Sequence, residues 1–285
     1  MADTAALHPL IFEPVIRRAL DEDLGLAGDL TSELVVPEDA RASARLVARK
    51  TGCIAGLPIA MATFKLLSPE LAVALHHHDG DHVSGGTVLA SVDGPARPIL
   101  TAERTALNLL CLLSGIATAT WTAVEQMRGT RTRIACTRKT TPGLRALEKY
   151  AVRVGGGINH RFGLDDGVMI KDNHIAAAGG LGPAVARARE RLGHMVKIEV
   201  EVDTLDQLEE LLTLGADAVL LDNMGPETLK RAVSMVDGRM MTEASGGITI
   251  DNLAEIARTG VDIVSLGWLT HSSPILDVGL DIDPA

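Results

Sequence analysis

Cationic side chains are concentrated in one segment of the sequence, residues 131–171. The segment contains nine lysines and arginines and three acidic residues, a net charge of 9 − 3 = +6, whereas the whole chain carries −10. An acidic protein that gathers its cations in one place typically focuses a field on an anion. A solvated basic helix face is the alternative, but the adjacent pairs Arg138-Lys139 and His160-Arg161 lack the i, i+4 spacing of such a face. The segment therefore predicts an anion-binding site.

Two clusters that contain glycine are candidates for binding phosphate. Ser245-Gly246-Gly247 lies between a predicted strand and a predicted helix, where backbone N–H groups and the helix dipole can hold a phosphate. Gly267 ends the next predicted strand, and loops after late strands are the usual phosphate site of α/β barrels. Ordinary tight turns are the alternative. The nucleotide-binding patterns GxxxxGK(S/T) and GxGxxG between a strand and a helix are missing.

Two acidic residues, Glu201 and Asp222, come where predicted strands end. Their carboxylates could hold sugar hydroxyls or Mg²⁺, because that ion prefers hard oxygen ligands. Lys139, Lys171 and the arginines of the cationic segment could clamp phosphates and carboxylates, with arginine providing the bidentate fork. These residue types together suggest a phosphorylated sugar and a second anionic substrate.

Strands and helices alternate from residue 196 onward, and this pattern would position the candidate groups. It predicts one helix that stops at Gly215 and a second helix over residues 226–236. Polar residues or glycine recur at the predicted strand ends with spacings of 21, 21 and 24 residues: Glu201, Asp222, Glu243 and Gly267. Units of this length predict a parallel sheet, most simply a closed barrel. Barrel enzymes carry their chemistry at the C-terminal ends of the strands, and these groups fall there.

The strand predicted over residues 196–202 separates charged from aliphatic side chains. Lys197, Glu199 and Glu201 share one face, and the aliphatic residues share the other. The aliphatic face would pack on helices, which turns the charged face into the barrel. The alternative is a half-exposed strand with its polar side chains in water.

The first 115 residues predict a mixed α/β domain with a partly antiparallel sheet. Thr105 to Val124 carries no charge over 20 residues, which is long enough to cross a bilayer. The run contains several hydroxyl side chains and no second span accompanies it, so we predict two buried helices that meet near Ser114-Gly115. The triplet His76 to His78 alternates between strand faces and predicts a strand end rather than a metal site.

Composition excludes several classes of protein. Among the 285 residues, 46% are hydrophobic but only 2% are aromatic, which suits helices packed on parallel strands. The acidic charge and the few aromatic rings argue against binding nucleic acid. Three cysteines, far apart, predict free thiols and a cytoplasmic location. The N-terminus lacks the pattern of a secretory signal.

The chain resembles quinolinate phosphoribosyltransferase, also called nicotinate-nucleotide pyrophosphorylase (carboxylating). The resemblance covers nearly the whole sequence in order, and it is carried by these segments: EDLGLAGDLTS, ERTALNLLCLLSGIAT, TRKTTPGLRALEKYAV, GGGINHRFGLDDGVMIKDNHI, EVEVDTLDQL, GADAVLLDNM, EASGGI and TGVDIVSLGWLTHS. The block 137–175 is highly specific. One departure is Cys136, which stands where most members carry aspartate.

The resemblance implies an α/β fold with an N-terminal α/β sandwich domain and a C-terminal incomplete α/β barrel of about seven strands. The sandwich domain would comprise residues 1–115, joined by the tail 270–285, and the barrel would comprise residues 116–269. It further implies a homodimer, or a hexamer built as a trimer of dimers, with active sites shared between subunits. A membrane partner is not expected.

The resemblance also implies the reaction and the residue roles. Quinolinate and phosphoribosyl pyrophosphate would give nicotinate mononucleotide, pyrophosphate and CO₂ with Mg²⁺, in NAD biosynthesis. The residues expected to hold the quinolinate carboxylates are Arg104, Thr137, Arg138, His160 and Arg161. The catalytic residues would be Lys139 and Lys171, which are expected to lie between quinolinate and the pyrophosphate, and Glu201 and Asp222, which are expected to hold ribose hydroxyls. Those expected to take the 5′-phosphate are Ser245, Gly246, Gly247 and Gly267. No direct metal ligand is assigned, although Glu201 and Asp222 are candidates besides the pyrophosphate itself.

Three other functions fit some of these features. A class I aldolase-like barrel would use Lys171 as a Schiff-base lysine. A homologue that acts on another acid, such as the molybdenum-transport-associated relative, would keep most of the motifs. A sensor could bind a phosphorylated sugar without turnover. Detection of CO₂ and the mononucleotide would separate these possibilities.

Overall fold

The computed structural model describes residues 6–284. Its helices are α1 (Pro9–Leu24), α2 (Leu30–Val35), α3 (Leu57–Leu67), α4 (Ala96–Gln126), α5 (Arg145–Val154), α6 (Asp172–Ala178), α7 (Leu181–Arg191), α8 (Leu205–Leu214), α9 (Pro226–Val236), α10 (Leu253–Ala257) and α11 (Trp268–His271). Its strands are β1 (Arg41–Ala48), β2 (Gly52–Cys53), β3 (Ala72–Leu75), β4 (His82–Val83), β5 (Val88–Pro95), β6 (Arg133–Ala135), β7 (Val168–Ile170), β8 (Ile198–Val202), β9 (Ala218–Asp222), β10 (Met241–Ser245), β11 (Ile263–Ser265) and β12 (Val278–Pro284).

The chain forms two compact units, each built from separated segments. The first, here called the sandwich unit, comprises Met1–Trp121, Thr140–Gly156 and Leu269–Ala285. The second, the barrel unit, comprises Thr122–Lys139 and Gly157–Trp268. The cationic segment is therefore divided between the two, because α5 belongs to the sandwich unit.

The sandwich unit contains a four-stranded antiparallel sheet in the order β12-β1-β5-β3. Ala44 of β1 pairs with Val92 of β5 on one side and with Ile282 of β12 on the other. Buried and exposed residues alternate along the first part of β1 because successive side chains point to opposite faces. The buried face joins Phe64 of α3 and Leu110 of α4 in one apolar core.

The apolar run predicted as two helices is one helix, α4, of 31 residues, so that prediction was wrong. Ser114 and Gly115 do not interrupt the helix. They allow other segments of the chain to pack closely against it. Ser114 Oγ accepts from Ala55 N at 3.0 Å and donates to Ala55 O at 3.1 Å. A Cβ on Gly115 would lie 2.3 Å from Pro274 O, so only glycine allows the chain to approach there. By length and composition α4 could cross a membrane, but 61% of its most apolar window is buried inside the protein.

A carboxylate ties distant parts of the sandwich unit together. Asp79 accepts hydrogen bonds from the backbone N–H groups of Gly56 and Leu57 at 2.8 and 2.9 Å, which caps the first turn of α3 from outside the helix. The Tyr150 hydroxyl on α5 donates to the same carboxylate at 2.7 Å. Burial raises the pKa of Asp79, and these three hydrogen bonds oppose that increase.

The barrel unit confirms the predicted incomplete α/β barrel. Six parallel strands follow the order β6-β11-β10-β9-β8-β7. Ile158 adds a parallel bridge to Ala135 of β6, so a seventh strand position is occupied by one residue. The expectation of about seven strands thus becomes six strands and one bridge within the described chain.

Local sequence signals explain the regular strand–helix units of the barrel unit. Thr204 and Gln207 form a capping box at the start of α8, and Gly215 ends that helix in the left-handed conformation at φ 72°. Helix α9 begins at Pro226, a residue suited to the first turn, as the sequence predicted. These caps set the length of each unit and place the strand ends at one edge of the sheet.

We predict that Tyr150→Phe destabilises the protein by roughly 1.5–3 kcal/mol, because a buried carboxyl loses one of three donors. Urea unfolding of the wild type, Tyr150→Phe, Asp79→Asn and the double variant would measure the pairwise coupling. If the two single changes add without coupling, the hydroxyl and the carboxyl do not stabilise each other.

Candidate active site

The carboxyl ends of the barrel strands carry most of the residues that the sequence singled out. Asp222 ends β9 and is directly paired with Ser245, which ends β10. Glu201 lies on the neighbouring β8, one residue before its end. Parallel strands align their carboxyl ends, so these groups share one edge of the sheet.

Lys171 joins this edge immediately after β7. Its Nζ donates a short hydrogen bond to Glu201 Oε2, and the Glu201 side chain is only 14% exposed. Burial, together with the negative charges of Glu201 and Asp203, raises the pKa of Asp222, while Lys171 and a hydrogen bond from Asn223 oppose the increase. The cluster therefore concentrates carboxylate oxygens around one lysine. Such a set can accept sugar hydroxyls or a hard cation.

The predicted phosphate loops lie next to each other. Trp268 Nε1 donates to Ile248 O at 3.1 Å, which connects the loop containing Gly267 to the loop that begins at Gly246. Gly246 has φ +88° and Gly247 has φ +61°, both in the left-handed region that favours glycine. Successive backbone N–H groups in such a turn can bind an anion.

Asn223 links the glycine loop to the carboxylates. Its backbone N–H donates to Ser245 O at 2.9 Å, and its side-chain amide donates to Asp222 Oδ2 at 2.6 Å. A Cβ on Gly246 would lie 2.2 Å from Asn223 Oδ1 and 2.9 Å from Asn223 N. Glycine is therefore required at 246 for packing as well as for its backbone conformation.

Two arginines form the cationic part of the site. Arg138 follows β6, and Arg161 follows the bridge at Ile158. Burial and the charge of Arg138 lower the pKa of Arg161, while Glu199 and Asp166 oppose the decrease. Arg138 Nε is buried and has no hydrogen-bond partner among residues 6–284. Two neighbouring guanidinium groups with an unsatisfied donor are suited to binding a carboxylate or phosphate.

The remaining cations of the segment are placed differently. Arg131 and Arg133 are exposed at the amino end of β6, and Lys139 is exposed beside Thr137, whose Oγ1 accepts from Lys139 N at 3.0 Å. Lys149 of α5 is fully buried in the sandwich unit. Only some of the lysines and arginines of residues 131–171 therefore lie at the candidate site.

Cys136, which the sequence resemblance singled out, makes two hydrogen bonds to neighbouring residues. Its thiol donates to Asn159 Oδ1 at 3.3 Å, and its backbone N–H donates to Ile158 O at 3.2 Å. Both contacts hold the chain beside β6 against the segment that leads to Arg161. The backbone pairing of this segment does not depend on an aspartate.

The charged face predicted for β8 is confirmed for its glutamates. The side chains of Glu199 and Glu201 are 12% and 14% exposed. The prediction was wrong for Lys197, which precedes the strand, is 80% exposed and pairs with Asp217 at 2.8 Å.

Sequence reasoning missed a cluster next to these residues. His160 Nε2 lies 2.9 Å from Glu199 Oε2 and 3.7 Å from Glu243 Oε2. Strand parity identified Glu199 as facing inward, and the strand spacing identified Glu243, but nothing in the spacing brings His160 to them.

Arg104 is the one predicted site residue outside the barrel unit. It lies on α4 in the sandwich unit, and its side chain is exposed. Its predicted contact with quinolinate stays a prediction.

We predict that Gly246→Ala destabilises the protein more than Gly247→Ala. Both place a Cβ at positive φ, which costs roughly 1–2 kcal/mol, but a Cβ at Gly247 has open space whereas one at Gly246 collides with Asn223. Urea unfolding of the two variants measures the difference. Equal costs would mean that the loop moves away from Asn223 freely.

Comparison with known families finds matches over most of the chain. Residues 29–114 match the family model for the quinolinate phosphoribosyl transferase N-terminal domain, and residues 116–281 match the model for its C-terminal domain. A probable nicotinate-nucleotide pyrophosphorylase (carboxylating) from Bacillus subtilis is 49% identical over 261 residues, which cover 92% of this chain and 90% of that protein. The Mycobacterium leprae nicotinate-nucleotide pyrophosphorylase (carboxylating) is 46% identical, with 94% and 95% covered.

Solved structures agree with the sequence comparison. NadC from Streptococcus pyogenes superposes with a TM-score of 0.95 at 38% identity, and the match covers 99% of both chains. Since both domain models match in order and several relatives exceed 40% identity over nearly the whole chain, the protein belongs to the quinolinate phosphoribosyltransferase family.

Proposed function

We propose that this protein transfers the phosphoribosyl group of phosphoribosyl pyrophosphate to quinolinate and releases nicotinate mononucleotide, pyrophosphate and CO₂. Family membership and the names of its relatives support this reaction. The observation that carries it is the guanidinium pair of Arg138 and Arg161, which repel each other and leave a buried donor unsatisfied. A planar dicarboxylate offers two charges to such a pair.

Quinolinate would bind at the guanidinium pair. Arg138 and Arg161 would take its carboxylates, with Thr137 beside them and Arg104 of a second subunit completing the pocket. Bidentate arginine contacts fix the plane of the ring as well as its charge. The ring nitrogen could then be aligned with C1 of the ribose, which contributes through proximity.

Phosphoribosyl pyrophosphate would bind along the strand edge. The loops at Ser245–Gly247 and Gly267 would take the 5′-phosphate, and Glu201 and Asp222 would hold ribose hydroxyls. Lys171, placed beside Glu201, and the exposed Lys139 would face the pyrophosphate. The hydrogen bond from Lys171 to Glu201 supports this arrangement, because it keeps a cation next to the carboxylates that would face the sugar.

Mg²⁺ is a further part of the proposal. Glu201 and Asp222 offer the hard oxygens that Mg²⁺ prefers. Burial, and then the negative charges of Glu201 and Asp203, raise the pKa of Asp222, and a bound cation would offset those charges. The ion would be held mainly through pyrophosphate oxygens, with these carboxylates as candidate ligands. When bound, it supplies positive charge to the departing pyrophosphate.

The residues present suit the charges of the reaction. Positive charge develops at C1 as the pyrophosphate leaves, and carboxylates beside the ribose can stabilise it. Fixed lysines stabilise the leaving anion. After transfer the pyridine nitrogen is positively charged, so loss of CO₂ from the adjacent carbon leaves an electron pair that this nitrogen stabilises. The chain needs to supply neither a nucleophile nor a general base.

Association into a homodimer, or a hexamer of three dimers, is part of the same proposal. Leu10 of α1 and Leu34 and Val35 of α2 are 77%, 82% and 74% exposed, which is unusual for a surface without a partner. The free cysteines Cys53, Cys111 and Cys136 are buried and reduced, which suits a cytoplasmic location.

The proposal is tested by incubating the protein with quinolinate, phosphoribosyl pyrophosphate and Mg²⁺ and following CO₂ and the mononucleotide. Nicotinate and other pyridine acids serve as competing substrates and would reveal a relative that acts on another acid. Ligand binding without product would indicate a sensor. Trapping by borohydride with a carbonyl substrate would indicate a Schiff-base lysine.

We predict that Arg138→Ala and Arg161→Ala each weaken quinolinate binding by roughly 1.5–3 kcal/mol, since each removes a charge-assisted contact. Calorimetry measures the affinity. Arg133→Ala is the matched control, because Arg133 is exposed at the opposite end of β6.

The stability of the unliganded protein should not fall together with its affinity for quinolinate. Arg138→Ala removes the repulsion on Arg161 and the unsatisfied buried Nε, so its free energy of unfolding should equal or exceed that of the wild type. Unchanged quinolinate affinity in either variant, or a large loss of stability in Arg138→Ala, would contradict the assignment.

A shared active site predicts complementation between two inactive variants. When Arg104→Ala and Lys139→Ala are co-expressed, each mixed dimer has one site with both defects and one with neither. Random pairing makes half of the dimers mixed, so about a quarter of wild-type activity should return. Two different tags would verify that mixed dimers form. If they form and no activity returns, Arg104 acts within its own subunit.

A further inference from the structure

Asn223 has an unusual backbone conformation immediately after β9. Its φ is 54°, in the left-handed region, and Asp237 is the other non-glycine residue with a positive φ among residues 6–284. L-amino acids other than glycine disfavour this region, and asparagine tolerates it better than most because its short side chain forms local hydrogen bonds. Residues held in such conformations cluster at functional sites, where the surrounding contacts maintain them.

The side chain of Asn223 contacts two parts of the strand edge. Its Nδ2 donates to Asp222 Oδ2 at 2.6 Å, and an ionised carboxylate can only accept, so the amide presents its N–H groups to Asp222. The amide oxygen, Oδ1, therefore faces Gly246, where a Cβ would lie only 2.2 Å from it. One amide thus restrains the Asp222 carboxylate and packs against the first glycine of the phosphate loop.

The second half of this loop has anchors of its own. Asn252 Nδ2 donates to Gly247 O at 3.2 Å, and Trp268 Nε1 donates to Ile248 O at 3.1 Å. These contacts do not involve residue 223. Asn223 is therefore placed to set the position of the first half of the loop, next to the carboxylate.

We propose that Asn223 is a positioning residue for phosphoribosyl pyrophosphate. It sets the distance between the loop that takes the 5′-phosphate and the Asp222 carboxylate that takes a ribose hydroxyl. Asn223 acts through Gly246 and Asp222 and does not contact the reacting atoms. This role rests on the proposed function of the site and adds a residue to it.

The chemistry of the ligand explains why this distance has to be fixed. A sugar phosphate carries its phosphate and its ring hydroxyls at distances that covalent bonds limit. Two protein groups bind both at once only when their own spacing matches, and a spacing fixed before binding leaves less freedom to be lost. The backbones of the two segments are already joined, since Asn223 N donates to Ser245 O at 2.9 Å. The amide extends this connection to the side chain that would bind the ribose.

Two substitutions separate the amide from the backbone conformation. Asn223→Ala removes the amide and leaves a side chain that disfavours positive φ, whereas Asn223→Gly removes the amide and relaxes the backbone. We expect both to raise KM for phosphoribosyl pyrophosphate roughly tenfold to a hundredfold, because the carboxylate and the loop lose their common support. KM for quinolinate should stay within about twofold of wild type.

Asp237→Ala is the matched control. Asp237 has φ 45° and lies between α9 and β10, so the same change in backbone preference falls at the amino ends of the strands. Its loss of stability in urea unfolding should resemble that of Asn223→Ala, while both KM values stay within about twofold of wild type. A loss of stability alone would then not account for the effect at residue 223.

Asn223→Gly is the deciding variant, because it removes the amide without adding backbone strain. A wild-type KM for phosphoribosyl pyrophosphate in this variant would show that only the backbone conformation matters, and would overturn the proposal. An equal rise in the KM values of both substrates would overturn it as well.

Fragments of the substrate test the same link without turnover. Calorimetry measures the affinity of the wild type and of Asn223→Gly for ribose 5-phosphate and, separately, for inorganic phosphate. We expect the variant to bind ribose 5-phosphate about tenfold more weakly and inorganic phosphate less than about threefold more weakly, since the loop keeps its contacts with Asn252 and Trp268. If both ligands weaken by the same factor, Asn223 supports only the loop and the proposal is wrong.

The fragment measurement also separates this role from the proposed reaction. If the wild type binds ribose 5-phosphate but forms no mononucleotide, selective weakening in Asn223→Gly still supports the positioning role, and the reaction is rejected. If the wild type does not bind ribose 5-phosphate, the sugar phosphate site and the role of Asn223 are both rejected.

Discussion

The structure depends on holding two like charges together before a ligand arrives. Burial and the neighbouring charge of Arg138 both lower the pKa of Arg161, so the cationic form of Arg161 is held at a cost. Glu199 and Asp166 partly offset these effects on Arg161, while Arg138 Nε is buried without a hydrogen-bond partner among the described residues. In the proposed reaction, binding of a dianion would relieve this repulsion, which would favour ligands with two negative charges.

The parallel sheet stabilises the barrel unit enough to tolerate these charged groups at the strand ends. Backbone hydrogen bonds between neighbouring strands and apolar contacts with the helices stabilise the barrel unit independently of the strand ends. Val200 and Val202 are buried on one face of β8, while Glu199 and Glu201 of the other face supply the counter-charges of Arg161 and Lys171. A single strand thus contributes both to the core and to the site, because its side chains alternate.

Sequence reasoning recovered the parts of the fold that local signals determine. Helix α9, which the sequence predicted from Pro226 to Val236, and the end of α8 at Gly215 agree with the structure because proline and glycine restrict the backbone locally. The predicted division of α4 at Gly115 was wrong. The glycine at this position allows the close approach of Pro274, which is more than a hundred residues away in the sequence. Rules based on local sequence interpret such a glycine as the end of a helix, and only the tertiary contact explains why glycine occurs there.

The site was predictable to a similar extent. Spacing placed Glu201 and Asp222 at the strand ends, and composition identified the cations, yet neither distinguished Arg138, at the site, from Lys149, buried in the sandwich unit. His160 joins the segment after β6 to β8 and β10 through its contacts with Glu199 and Glu243. These contacts depend on the order of the strands in the sheet and on which side chains of each strand point inward. No single stretch of the sequence contains both kinds of information.

Long-range charge and short-range contacts act in opposite directions in this protein. The chain carries −10 overall, so an anionic substrate is repelled at distances beyond the site. That repulsion is screened within about 8 Å at physiological ionic strength, whereas partly buried pairs are screened far less. Affinity must therefore come from fixed contacts at the strand ends and not from attraction by the whole surface. A site under that constraint gains more from rigid placement of a cation such as Arg161, whose Nη1 donates to Gly167 O, than from additional positive charge.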